Sequence, residues 1–284
     1  VFGLSIGSVI GGLLADVVSL RAPFFLQAAM TALAVPIILA FIPETKGSVD
    51  SQEAAAPTVA AEARNRGKLI RGLLLNPGFL AVALFSLWIV ATRWGGRFVV
   101  MPIFAEEKGF SPGDLGVFFF FTHVPQFFAV ILAGYLADRY GRKMAIAPAA
   151  VLYSLGIVLF IFTESYWMLL LSGVVMGIGE GLLGPPLVAY FVDMAPRGLE
   201  GFTLGLYGTF GGGGALIGAL LLGSITDVTS FESALWVDII ILMGLALAVL
   251  VIARETSARR LRQRPQRLDA VPKGADLKMG GSVP

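Results

Sequence analysis

The chain has 284 residues, of which 56% are hydrophobic and 14% charged, with a formal net charge of +2 and a mean hydropathy of +0.82. Those values exclude an ordinary water-soluble domain and define a polytopic membrane protein. The absence of cysteine excludes disulfides, zinc–thiolate sites and thiol nucleophiles.

An α-helix needs about 20 consecutive apolar residues to cross the hydrocarbon core, and the sequence offers eight such candidates. The first, over 1–15, begins without a methionine or a basic leader and is short by about one turn, so it is expected to be a truncated span, not a signal peptide. It carries Gly3, Gly7 and Gly11 at spacing four, with Gly12 following; such spacing suits close approach of two helices. The second span covers 23–42. A polar segment over 44–76 follows, and its Ala-Glu-Ala-Arg stretch is expected to form a helix lying on the membrane.

The third span, 78–104, is unusual because Arg93 and Arg97 stand four residues apart on one helical face, separated by Trp94, Gly95 and Gly96. An intramembrane Arg costs about 2.5–3.5 kcal/mol on insertion scales, so it faces protein, water or a counter-ion. The pair could hold an anionic group of a solute or control a nearby carboxylate; the plainer alternatives are snorkelling for Arg97 and a fixed ion pair for Arg93. The fourth span, 115–136, holds His123, the sole histidine, and Gln126 on the same face. Either could line a solute or proton path, or His123 could be a hydrogen-bonded packing residue. The Phe118–Phe121 run reads as packing or lipid surface.

Residues 134–143, Gly-Tyr-Leu-Ala-Asp-Arg-Tyr-Gly-Arg-Lys, form a polar island between the fourth span and the fifth, 144–162. Gly141 suits a tight reversal because glycine tolerates positive φ, and Arg139, Arg142 and Lys143 supply cytosolic cations. Asp138, the acid in this basic turn, could bond its neighbours or a helix N-terminus and act as a latch with Gly134 and the basic residues around it.

The sixth span, 167–192, contains the sharpest single candidate, Glu180, deep in Gly-Ile-Gly-Glu-Gly-Leu-Leu-Gly-Pro-Pro. Pro185 and Pro186 cannot donate to the carbonyls of Gly181 and Leu182, leaving polar backbone beside the acid. Burial and neighbouring arginines act on its charge in opposite senses. A carboxylate so placed can load and release a proton; alternatively it pairs permanently with Arg93 or Arg97 and only holds two helices together. The Gly179–Gly184 match to a dinucleotide-binding pattern is rejected, because no strand–turn–helix context surrounds it. The seventh and eighth spans cover 202–225 and 234–253; Asp238, in the last, reads as a weaker site explained by pairing or local water. The tail opens with Arg259, Arg260, Arg262, Arg264 and Arg267, able to hold anionic lipid headgroups, and becomes Gly- and Pro-rich and is expected to be disordered.

If the spans alternate with the first running outward, 17 of the 21 Lys and Arg residues lie on the cytosolic side and only Arg21 and Lys108 on the outer side. Both ends of the chain are then cytosolic, in a cell (plasma or inner) membrane. An ungapped internal repeat relates residues 3–45 to 214–256: Gly3, Gly7, Gly12, Asp16 and Glu44 recur as Gly214, Gly218, Gly223, Asp227 and Glu255. Two helices and their hairpin thus occur twice in parallel orientation.

With this repeat, the Gly-x-Leu-Ala-Asp-Arg-x-Gly-Arg-Lys island and the eight spans, the chain resembles the major facilitator superfamily. The resemblance covers residues 3 to 256. It implies an all-α integral membrane bundle of eight transmembrane helices corresponding to the family's fifth to twelfth, hence an N-terminal truncation with the first four expected in a full-length protein. The implied units are the last two helices of the N-terminal half (1–43), a cytosolic linker (44–76), the six-helix C-terminal half (77–254) and the tail (255–284). The third and sixth spans would line the cavity, the first, fourth and seventh would meet between halves, and the others would be outer supports. Gly7-Ser-Val-Ile-Gly11-Gly12 resembles the antiporter-associated Gly-Pro-x-x-Gly-Gly element, but Ser8 replaces its proline.

The function these features imply is alternating-access transport of a small organic solute through a cavity that Arg93, Trp94, Arg97, His123, Gln126 and Glu180 help line, with protons as the coupling ion and export of the multidrug or metabolite type. Organic-anion uptake is one alternative, and a non-transporting scaffold, receptor or inactive fragment another. An enzyme is not expected, since no nucleophile–base pair or metal-ligand cluster occurs. No cofactor, metal or nucleic acid is implied, and no Gly-x-x-x-x-Gly-Lys-Ser/Thr loop for ATP is present. The partners are the lipid bilayer, the solute and protons.

Overall fold

A computed structural model describes residues 2–41, 59–196 and 198–253; within these, the side chains of 2, 37–41, 59–65, Asp138, Tyr140 and Met144 are outside the described set. Every regular element in the described residues is helical. In chain order these are α1 (Phe2–Val17), α2 (Ala22–Phe41), α3 (Val59–Leu74), α4 (Pro77–Ala91), a π-helical turn (Thr92–Val100) leading directly into α5 (Met101–Glu107), α6 (Pro112–Tyr140), α7 (Arg142–Ile161), α8 (Tyr166–Met194), α9 (Glu200–Val228) and α10 (Phe231–Ile252).

The helix starts follow from local chemistry. Asn76 accepts from the backbone N–H groups of Gly78 and Phe79 at 2.9 and 3.2 Å, with Pro77 as the first helical residue, so α4 opens with its otherwise orphaned donors satisfied. Ser111 and Asp114 form a reciprocal capping box at the head of α6. Gly141 separates α6 from α7 with φ 102°, a left-handed value that glycine adopts without a Cβ penalty, and the expected reversal falls there. At the other end of α7, the Lys108 ammonium donates to the carbonyls of Ile161 and Thr163 at 2.7 and 3.1 Å, closing the helix terminus.

Among the described residues, five segments are long and apolar enough to cross a membrane: 77–107, 112–137, 166–194, 200–228 and 231–252. Three shorter apolar helical stretches, 3–17, 22–36 and 145–161, account for the remaining sequence candidates. The third candidate span is one continuous rod made of α4, the π-turn and α5. The Ala-Glu-Ala-Arg stretch is helical, as part of α3.

The core forms where α8 packs between α6 and α7, with α10, α4 and α9 completing the bundle and α1 lying along α6. Close approach of α8 is built on glycine. Gly173, Gly177 and Gly181 meet the α6 backbone at Phe118, Thr122 and Gln126, while Gly179 meets Tyr153 on α7. Of the glycines rejected as a dinucleotide loop, Gly179 and Gly181 are therefore packing positions, while Gly184 has open space beside it. Pro185 and Pro186 lie inside α8, which continues past them to Met194.

Candidate functional site

The π-turn is the element around which the buried charges are arranged. Its i→i+5 bonding widens the backbone at Thr92–Val100, where two glycines interrupt the side-chain wall. A Cβ on Gly95 would overlap the carbonyl of Gly218 on α9, and one on Gly96 would stand 3.0 Å from Asp238 Oδ2 on α10. Gly214 and Gly218 in turn lie against the α4 backbone at Leu87 and Ala91. Small residues on both sides thus seat α9 and α10 against the turn.

Arg93 and Arg97 project from this turn to a single acceptor, Glu180 of α8. Arg97 Nη1 bonds Glu180 Oε2, Arg97 Nη2 reaches Oε1 at 3.3 Å, and Arg93 Nη2 pairs with the same Oε1. The Arg97 and Glu180 side chains are 2% and 1% exposed, whereas Arg93 is 37% exposed. The Arg97 fork is the desolvated contact and Arg93 the partly wet one. Two guanidinium charges against one carboxylate leave a surplus of one positive charge in the cluster.

Beside the cluster runs an aromatic row. The Arg97 guanidinium lies 5.1 Å from the Phe98 ring centroid; Phe98 stacks on Phe119 at 5.4 Å, and Phe119 on His123 at 6.3 Å. Phe98, Phe119 and His123 form one wall of a cavity of 680 Å³, completed by α1 and α2 with Gly7, Ser8, Gly11, Gln27 and Thr31 among its lining.

Several sequence-predicted residues sit differently from expectation. Trp94 is 51% exposed, leans on Phe98 and is not among the residues that line the cavity. Gly7 and Gly11 do not make a close helix contact: a Cβ at either would meet nothing within 4 Å, and both face the cavity. Gly12 alone of that element packs tightly, 3.0 Å from Gly116 Cα of α6 by its would-be Cβ. His123 is buried, and Gln126 is half-buried with its backbone carbonyl against Gly181. The Phe118–Phe121 run is not uniform packing surface, since Phe119 lines the cavity while Phe118 is fully buried.

Around the polar island, Gly134 has open space beside it, Arg139 donates to the Tyr135 hydroxyl at 2.6 Å, and Arg142 donates to Asp193 of α8 at 3.3 Å. Lys143 occupies the first turn of α7, and the Asp138 side chain lies outside the described residues. Asp238, read from the sequence as a weaker site explained by pairing or local water, is fully buried and accepts from Trp88 Nε1 at 2.9 Å and Thr92 Oγ1 at 2.7 Å. A further contact escaped the sequence reading. Asp16 of α1 accepts from the Gly113 N–H at 2.7 Å and from the Ser111 hydroxyl at 3.1 Å, tying α1 to the N-terminus of α6.

Membrane-length apolar helices around a buried guanidinium–carboxylate cluster and a cavity define an all-α, multi-pass integral membrane protein. The chain belongs to the Major Facilitator Superfamily, whose family model matches residues 1–124 and 83–279. It is 26% identical over 272 residues to the quinolone resistance protein NorA of Staphylococcus aureus, covering 94% of this chain and 64% of that protein. With the multidrug resistance protein MdtG of a Rahnella species it shares 28% identity over 181 residues, 61% of this chain and 44% of that one. A crystal structure of the peptide transporter POT (E310Q mutant) in complex with sulfate superposes with a TM-score of 0.52 at 18% identity, covering 61% of this chain and 37% of that one, a likeness of fold. None of these relatives is named as an enzyme. The chain spans about two thirds, or less, of the length of the curated relatives it matches.

Proposed function

We propose that this chain works in a secondary transporter that exports small organic solutes by alternating access, with Glu180 as a proton-coupling group. The observation that carries the reading is the double engagement of Glu180: one carboxylate, nearly free of solvent in mid-helix, holds a desolvated guanidinium fork and a second, half-wet guanidinium. A proton added to Glu180 removes the negative charge that holds both arginines, freeing guanidinia beside the cavity; loss of the proton restores the clamp. The names of the curated relatives, quinolone and multidrug resistance, support drug-like solutes leaving the cell. The aromatic wall of Phe98, Phe119 and His123 offers such solutes stacking surface.

In this reading the 134–143 island is a cytosolic latch, both chain ends are cytosolic, and the segments 1–43 and 77–254 belong to different half-bundles. The surplus positive charge of the cluster specifically supports a solute with an anionic group, and organic-anion uptake is the second reading it favours.

In proteoliposomes, solute accumulation driven by a proton gradient should collapse in Glu180→Gln while solute–solute counterflow survives. Gradient-driven accumulation equal to that of the wild type removes Glu180 as the coupling group.

A further inference from the structure

The second buried carboxyl of the bundle, Asp238, has no part in the Glu180 cluster, and its surroundings are of the opposite kind. Both Glu180 oxygens are engaged by cations. At Asp238 both side-chain donors, the Trp88 indole and the Thr92 hydroxyl, converge on Oδ1, and Oδ2 is buried without a hydrogen-bond partner. Among the described residues no cation lies within ion-pair distance of it.

The elements packed against α10 at this depth present few groups able to share a charge. From α4 comes Trp88; from the π-turn come Thr92 and Gly96, with Arg93 and Arg97 paired to Glu180; from α9 comes Leu222; and from α7 comes Tyr153. Tyr153 is fully buried, its hydroxyl has no hydrogen-bond partner, and it lies within electrostatic reach of Arg97, Glu180, Arg93 and Asp238. The other charged residues of these elements, Arg142, Lys143, Glu200, Asp227 and Glu232, occupy terminal turns.

An ionised carboxylate without a cation in such a setting has only two neutral donors in place of its hydration, whereas a neutral acid is served by donors to its carbonyl oxygen and leaves a single O–H to be satisfied, a smaller cost than a bare charge. The asymmetry at Asp238 matches the neutral acid: Oδ1 accepts twice, as a carbonyl oxygen does, and Oδ2 is left as the hydroxyl oxygen. Gly96 provides the room, since any larger residue would bring a Cβ to 3.0 Å from Oδ2.

We propose that Asp238 is a second proton-binding site, carrying its proton on Oδ2 while Glu180 is ionised, and that the π-turn links the two carboxyls. Thr92 grips Asp238 and the next residue, Arg93, grips Glu180. Ionisation of Asp238 calls for a cation, and among the described residues of the elements packed against α10 the cations away from the terminal turns are Arg93 and Arg97, which Glu180 holds. A proton gained at Glu180 therefore releases the charge that lets Asp238 lose one: the O–H bond at Asp238 breaks, one forms at Glu180, and the net charge of the set is unchanged. The proposal deepens the proton-coupling reading, yet its test does not depend on transport.

Infrared difference spectra of the purified chain in lipid nanodiscs, recorded over a pH titration, read this directly. The C=O band of a neutral carboxylic acid in apolar surroundings should be present at neutral pH in the wild type and lost in Asp238→Asn, which keeps the acceptor for Trp88 and Thr92. Labelling the wild type with carboxyl-13C aspartate should shift the same band, an arm that needs no variant to fold. In Glu180→Gln, where both guanidinia are released, the band should disappear at a lower pH than in the wild type. Absence of the band in the wild type, its failure to shift on aspartate labelling, or its persistence in folded Asp238→Asn overturns the site; an unchanged titration in Glu180→Gln overturns the link through the π-turn. Loss of gradient-driven flux in Glu180→Gln with no Asp238 band leaves the coupling role of Glu180 standing and refutes this site alone.

Discussion

The two arginines at Glu180 are chemically alike but differ in solvation, and a double-mutant cycle should separate them. Arg97 and Glu180 are 2% and 1% exposed, so removing Glu180 leaves an uncompensated guanidinium in a dry site, a loss on the order of 3–5 kcal/mol. Arg93 is 37% exposed, and water screens its share of the pairing, leaving about 0.2–1 kcal/mol. Glu180→Leu should therefore be strongly destabilising by itself. Adding Arg97→Met to it should recover most of the loss, because a desolvated pair replaced together by apolar groups of similar volume is often neutral. Adding Arg93→Met should recover little. The assay is reversible unfolding of the purified protein in mixed micelles, with the coupling energy taken from the single and double variants. Equal coupling of both arginines to Glu180, or a cost for Arg97→Met below about 1 kcal/mol, would refute the assignment of the fork as the dry contact.

The glycine seam carries a second expectation: Gly95→Ala and Gly218→Ala should each cost about 1–3 kcal/mol through backbone overlap, whereas Gly223→Ala, beside open space, should be neutral or mildly stabilising in the same unfolding experiment. Asp16→Ala should cost about 1 kcal/mol as a lost cap, and hydrogen exchange should show faster exchange of the Gly113 amide, which now donates to that carboxylate. Gly141→Ala, forced to φ 102°, should destabilise by about 1–2 kcal/mol, measured against Gly134→Ala, where nothing stands in the way.

What could be read from the sequence was what depends on composition or on one kind of partner. Span positions follow from apolar length, and the engagement of Arg93 and Arg97 with Glu180 was foreseeable because deep opposite charges seek each other, even when, as for Arg97, they are 83 residues apart. The surroundings of Asp238 were not foreseeable. Its donors, an indole and a hydroxyl 150 and 146 residues away, belong to residue types that pack in any membrane helix and signal no partner. Gly7 and Gly11 show a similar limit: a spacing of four states that one helix face is smooth, but not that another helix meets it. The π-turn has no pattern of its own, and the Trp94-Gly95-Gly96 interruption hinted only that the helix there is irregular. Phe98 and Phe119 were indistinguishable from the other phenylalanines until the fold set them face to face.

The partial exposure of Arg93 has a physical origin in the charge of the cluster. With Glu180 ionised and Asp238 neutral, the buried groups carry one positive charge more than they neutralise, and a dry interior does not tolerate that surplus. The structure places it where solvent reaches: Arg97, whose guanidinium forms a fork with Glu180 and lies over the Phe98 ring, stays inside, and Arg93 takes the wetter position. A solute anion arriving beside the aromatic wall would offer Arg93 the counter-charge that water now screens. A proton arriving at Glu180 would double the unpaired positive charge until Asp238 gave up its own proton, and would free the guanidinia toward any acceptor in reach. Solute anion and proton would thus offset one another's charge at three side chains on two helices, so that each favours binding of the other, the sign of coupling that the organic-anion uptake reading requires.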